Sequence, residues 1–163
     1  DGFGARDRSR IFEIMRDSRI GSYGVLALVF SIAIRSAALA SIPGPGMAWA
    51  AMLAAAAMSR GVLPLVMTMV APARPDGLSH SAGRPPMPIA CIALGIGFIT
   101  LFVCLTVQAA FAAILIGAPL IALVLLWALR RLGGQTGDVL GALQQMTEIA
   151  VLIGAAGWSL SYP

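Results

Sequence analysis

The chain has 163 residues, of which 59% are hydrophobic and 11% charged, with a mean hydropathy of +0.90. Soluble domains carry about 25% charged residues, so the composition excludes an ordinary water-soluble fold and points to an all-α, polytopic membrane protein in a lipid bilayer. The net charge of +4 comes from eleven arginines and no lysine. Without interleaved aromatic and basic residues, it argues against nucleic acid and for anionic groups met at a membrane surface.

Residues 1–22 hold four of the seven acids and five of the eleven arginines. Ile11, Ile14 and Met15 recur at i, i+3, i+4 with Phe12 beside them, so Arg6 to Ser18 is expected as an amphipathic helix that Gly21 and Gly24 end. Its apolar stripe can lie on a membrane surface. Glu13 and Asp17 are four apart and therefore neighbours, while Arg6, Arg8, Arg10, Arg16 and Arg19 supply fork-shaped donors for phosphate oxygens. Carboxylates and arginines together suit a diphosphate bound through Mg²⁺, an ion typically held by one or two carboxylates plus the substrate's phosphates. The alternative is a solvated basic helix whose charges balance one another.

Five segments are apolar enough, at about 20 residues each, to cross a bilayer. They are expected at about 23–40, 48–71, 88–107, 110–129 and 139–158. The turn Ser41 to Gly46 ends the first, and Pro72 and Pro75 close the second. The uncharged run from Pro88 to Leu129 should fold as a hairpin turning near Gln108, with Gly117 and Pro119 as the rival break. Residues 1–22 thus form a motif-bearing segment ahead of a transmembrane bundle.

Arginine placement orients that bundle. The segment before the first span, the Pro72 to Met87 loop with Arg74 and Arg84, and the Arg130-Arg131 loop should be cytoplasmic. The Ser41 to Met47 turn, the Gln108 turn and the tail carry no arginine and should lie outside. In the loop Arg130 to Asp138, Gly133, Gly134 and Gly137 can turn N–H groups toward an anion, with Asp138 at the start of the fifth span. Its bland alternative is a glycine-rich connector with Asp138 as a helix cap. Arg74 and Asp76 can contact phosphate or flank a turn, and His80 reads as a solvated loop residue.

Arg35, Arg60 and Glu148 fall at membrane depth, where ionisable groups are paired or functional. They are expected to face the bundle interior, either as a structural ion pair of Glu148 with one arginine or as the lining of a substrate cavity. Cys91 and Cys104 have no metal-ligand spacing and read as packing residues, as do Gly95 and Gly97. The chain opens inside a motif rather than at a Met or a signal sequence, so an N-terminally incomplete protein is expected. Self-association as a homo-oligomer is compatible with the sequence.

Gly4 to Leu28, GARDRSRIFEIMRDSRIGSYGVLAL, resembles the signature of the cobalamin synthase family, the adenosylcobinamide-GDP ribazoletransferases. Leu132 to Leu143, LGGQTGDVLGAL, is similar to that family's other strong motif, and Ala73 to Leu78, ARPDGL, to a weaker one between them. The resemblance runs in order from Asp1 to about Ile153. It implies a multi-pass protein of the bacterial inner membrane that joins adenosylcobinamide-GDP to α-ribazole or its 5′-phosphate, using Mg²⁺ and releasing GMP. With it, Asp1, Asp17 and Asp138 become expected metal ligands, and Asp17, Asp138, Arg16 and Arg19 the expected catalytic set. Arg6, Arg74, Gln135 and Thr136 are expected on the substrate, with Arg35 and Arg60 lining its path. The sequence departs from the family in lacking the acidic D-G-x-A-D block and further helices before Asp1, in Gln145 where a glutamate is frequent, and in having no lysine after ARPDGL.

Two other readings compete. Asp1-Gly2-Phe3-Gly4-Ala5-Arg6 fits the D-G-x-x-A-R opening of CDP-alcohol phosphotransferases, but that motif's next glycine would fall at Met15 and its aspartates at Arg19 and Tyr23. A transport subunit with Arg35, Arg60 and Glu148 along a permeation path leaves the loop motifs unexplained.

Overall fold

The computed structural model describes residues 11–14, 20–75 and 77–159. These hold helices α1 (Ser22–Ser41), α2 (Pro45–Met69), a single turn α3 (Leu78–Ser81), α4 (Met87–Cys104), α5 (Val107–Arg131) and α6 (Gly137–Ser159). All but α3 are long and apolar enough to span a membrane, as the composition requires.

Local chemistry sets the boundaries. Pro45 and Gly46 open α2, where proline's fixed φ suits a first turn whose N–H groups have no helical partner. The helix therefore starts three residues before the expected Ala48. The α4–α5 turn lies at Leu105 and Thr106 rather than at Gln108, because the Thr106 hydroxyl accepts from the Ala109 N–H and caps α5. The rival break at Gly117 and Pro119 does not occur: both sit inside α5, and Gly117 packs against α6, with a Cβ there 3.3 Å from Ala150 Cβ.

In a bilayer, lipid tails are as apolar as leucine, so small residues that let backbones approach decide which helices pack. Gly61 and Gly97 bring α2 and α4 together: a Cβ on Gly61 would sit 2.7 Å from the Ala93 carbonyl oxygen, and one on Gly97 3.2 Å from Met58 Cα. Gly154 does the same for α6 and α5, its Cβ position lying 2.7 Å from the Ala113 nitrogen. Gly95, expected to pack, faces open space. The result is a bundle centred on α6, which packs against α5, α2 and α1, while α4 packs on α2.

Although consecutive, α4 and α5 touch little beyond their turn, where Phe102 and Phe111 meet edge to face at 5.8 Å. The wedge between them is an apolar cavity of about 320 Å³, walled by Met58, Val62, Phe98 and Ile121 among others. Of the amphipathic segment, residues 11–14 are helical, and Ile11 is 1% exposed within the bundle's hydrophobic cluster. That side chain is therefore covered by protein, not left to a membrane surface.

Candidate functional site

The Pro72 and Gly133 loops meet at the end of the bundle where α2 finishes and α6 begins. Pro72 and Gln135 form a parallel bridge, in which the Ala73 N–H donates to the Gln135 carbonyl at 2.8 Å and the Gln135 N–H to the Ala71 carbonyl at 2.9 Å. The close approach needs a glycine, since a Cβ on Gly134 would stand 2.4 Å from the Ala71 oxygen. Gly133 acts through its backbone conformation instead. Its φ of 72° places it in the left-handed region that ends α5, and its N–H returns to the Ala128 and Leu129 carbonyls. The N–H groups of Gly133 and Gln135 are thus spent on carbonyls and do not face an anion.

The bridge creates a polar cavity of about 90 Å³ lined by Arg74, Gly77, Ser79, Thr136, Gly137 and Asp138. Thr136 caps α6 through Oγ1, which accepts from the Val139 N–H at 3.3 Å. Asp138 therefore sits in the first turn of a 23-residue helix, where backbone N–H groups and the helix dipole favour negative charge. Arg74 reaches the cavity from the opposite loop, its guanidinium 4.8 Å above the Phe12 ring, and its buried Nε has no hydrogen-bond partner. A cation fixed on an aromatic face, a hydroxyl pair and a carboxylate at a helix start can bind one phosphate group together with a cation.

Of the expected site residues, Arg74, Thr136 and Asp138 come together here. Gln135 takes part through its backbone, while its side chain is fully buried outside the cavity lining, with neither amide atom hydrogen-bonded. Asp1, Arg6, Arg16, Asp17, Arg19 and Asp76 lie outside the described residues. Ser79, 5% exposed, joins the cavity without having been singled out in the sequence, where nothing marks it; only the folding of one loop over the other does.

Arg35 and Arg60 belong elsewhere, at Glu148, ten residues or about 15 Å along α6 from Asp138. Arg35 Nη2 lies 2.9 Å from one Glu148 oxygen and donates to Gln145 Oε1 at 2.6 Å. The other Glu148 oxygen takes Arg60 at 3.4 Å, the Ser59 hydroxyl at 3.3 Å and Gln144 Nε2 at 3.4 Å. Both arginines, not one, pair with the glutamate, so α1 and α2 are tied to α6 at the same depth.

A family model described as cobalamin-5-phosphate synthase matches residues 1–156. The chain belongs to that family. Curated relatives named adenosylcobinamide-GDP ribazoletransferase include one from Bradyrhizobium diazoefficiens, 44% identical over 161 residues, covering 98% of this chain and 62% of the relative. Another, from Mesorhizobium japonicum, is 45% identical over 157 residues, covering 96% of this chain and 60% of the relative. The chain thus spans about three fifths of the length of the curated relatives it matches. No solved structure matches it.

Within the family frame, a magnesium ion is the implied cofactor. Among the described residues no three His, Cys, Asp or Glu side chains cluster into a metal cage. Asp138 is the one carboxylate in the lining of the polar cavity, and Mg²⁺ takes few protein ligands, completing its shell with phosphate oxygens and water.

Proposed function

We propose that the protein joins adenosylcobinamide-GDP to α-ribazole or its 5′-phosphate, forming adenosylcobalamin or its 5′-phosphate and releasing GMP. The observation that carries this reading is the convergence of Arg74, Thr136 and Asp138 on one polar cavity at the start of α6, inside the two loop motifs of a family whose relatives bear that activity's name. A ribose hydroxyl attacks the phosphorus that carries the cobinamide; the new P–O bond forms as the bond from that phosphorus to the GMP oxygen breaks, and the hydroxyl proton is released.

The described residues contribute positioning and charge neutralisation, the larger part of phosphoryl-type transfer. Arg74, held over Phe12, presents N–H donors to phosphate oxygens, and the α6 N-terminus adds its dipole. Asp138 would hold Mg²⁺, with Asp1 and Asp17 as its further ligands; the ion supplies neutralisation of the diphosphate charge. Arg16 and Arg19 take the remaining phosphate oxygens, and Arg6 also binds the substrate. On this reading the Arg74 and Asp138 loops face the cytoplasm of a bacterial inner-membrane protein, a placement that the arginine pattern favours.

The test is a membrane assay of GMP release with each component omitted. Release should need adenosylcobinamide-GDP, α-ribazole and Mg²⁺ together. Release of CMP from CDP-alcohols, or no nucleotide from any activated donor, would overturn the assignment.

A further inference from the structure

The Pro72–Gln135 bridge joins two segments that carry buried polar atoms without partners. The Gln135 side chain is 0% exposed, and neither its Oε1 nor its Nε2 has a hydrogen bond among the described residues. The same holds for the buried Nε of Arg74, two residues beyond Pro72 on the facing loop. A buried donor or acceptor left unmade costs the desolvation of that group, whereas an intramolecular bond contributes little net. The two bonds that close the bridge, from the Ala73 N–H to the Gln135 carbonyl at 2.8 Å and from the Gln135 N–H to the Ala71 carbonyl at 2.9 Å, are therefore opposed by groups on the same two segments. Parting the loops returns those groups to water.

The cavity behind the bridge calls for such an opening. Its volume of about 90 Å³ is well below the roughly 300–1,000 Å³ of small-molecule sites, and Ser79 and Thr136 in its lining are 5% and 3% exposed. The turn that carries Ser79 can move as a piece, because the N–H groups of His80 and Ser81 return to the Gly77 carbonyl and that of Gly83 to the His80 carbonyl. Gly83, at a φ of 76° and with open space around a Cβ, follows it, and the Thr68 hydroxyl then ties Pro85 to α2 at 2.9 Å.

We propose that the Pro72–Gln135 bridge is a latch that opens to admit a phosphate-bearing ligand to the start of α6, and that the buried Gln135 amide is the group that biases it open. Gln135 acts on the bridge and not on the ligand, since its side chain lies outside the cavity lining. The class of ligand rests on the function proposed above; the latch rests on the bridge and the unpartnered atoms.

Amide hydrogen exchange of the complete membrane-embedded protein reads the latch directly. Val70 and Leu132, whose N–H groups each close the end of a neighbouring helix at 2.8 Å, serve as references. In the native sequence, positions 73 and 135 should share one protection factor, at least about tenfold below that of the references. Gln135→Met keeps the length of the side chain and removes the amide, so protection at both positions should rise together by about tenfold, where an amide that stabilises the closed loops predicts a fall. GMP release by the same variant should slow by a similar factor in kcat/KM. Unequal protection at positions 73 and 135 in the native protein, or protection equal to that of Val70 and Leu132, would refute the latch whether or not the variant folds. Unchanged or lower protection with Gln135→Met would remove the role given to the amide, and raised protection with undiminished GMP release would exclude the latch as the way in. A native protein that releases no GMP would instead overturn the proposed function, since exchange is read without substrate.

Discussion

The three glycines of the Gly133 to Asp138 loop should respond differently to one added methyl group. Alanine at Gly134 would put Cβ 2.4 Å from the Ala71 oxygen and 2.9 Å from the Ala73 nitrogen, the acceptor and donor of the two bridge bonds. The loops must separate, and both bonds lengthen together. At a net value of about 1 kcal/mol each, rising where a buried group is left unpaired, the loss is about 2–4 kcal/mol. Alanine at Gly133 must adopt the left-handed φ of 72°, for about 1–2 kcal/mol. At Gly137 nothing lies within 4 Å and the residue is helical, so alanine should be neutral or slightly stabilising. Local opening can be read from a nearly buried thiol: Ser79→Cys, in a background lacking Cys91 and Cys104, reacts faster when the loops part. Its alkylation should accelerate by about 30- to 1,000-fold with Gly134→Ala, by about 5- to 30-fold with Gly133→Ala, and not at all with Gly137→Ala, at tenfold per 1.4 kcal/mol. Equal acceleration by all three would mean that the loop is a flexible anion nest and that the bridge does not hold it.

Asp138→Asn keeps size and removes charge, and should lower turnover at least about tenfold, or 1.4 kcal/mol of transition-state stabilisation, in the GMP-release assay. Thr136→Ala should instead lower stability by about 1 kcal/mol through loss of the α6 cap, measured as a fall in Tm in detergent. Gln145→Glu would face Arg35 with a second carboxylate at the 2.6 Å contact and balance the Arg35–Glu148–Arg60 cluster, raising stability by about 1 kcal/mol; a lower Tm would show that desolvation outweighs the added pairing. Glu148→Leu should cost about 3–5 kcal/mol, because it strands two guanidinium groups. With the bundle oriented by its arginines, an impermeant thiol reagent on intact cells should label Gly46→Cys and spare His80→Cys, and the reverse pattern would invert the topology.

The spans were legible because hydropathy over about 20 residues is a property of composition, and because Pro45, Pro72 and the arginines mark where lipid stops. The α4–α5 turn was displaced for a local reason: Thr106 can cap a helix and Gln108 cannot, a difference that average polarity does not weigh. Gly117 and Pro119 looked like a break because their partner, Ala150 on α6, is far from them in sequence and nothing nearby announces it. The same distance problem governs the site. Asp138 and Arg74 could each be suspected from charge and motif, but Ser79 enters the cavity only because Gly134 lets one loop cross the other, and that is a contact between strangers in sequence. Glu148 shows the opposite case. Three lone charges in apolar runs must find each other or a partner, so their association could be expected without geometry. The geometry adds the inequality: Arg35, largely enclosed, holds Glu148 at 2.9 Å, while Arg60, 60% exposed, reaches the same carboxylate at 3.4 Å, so one acid is shared unequally between two helices.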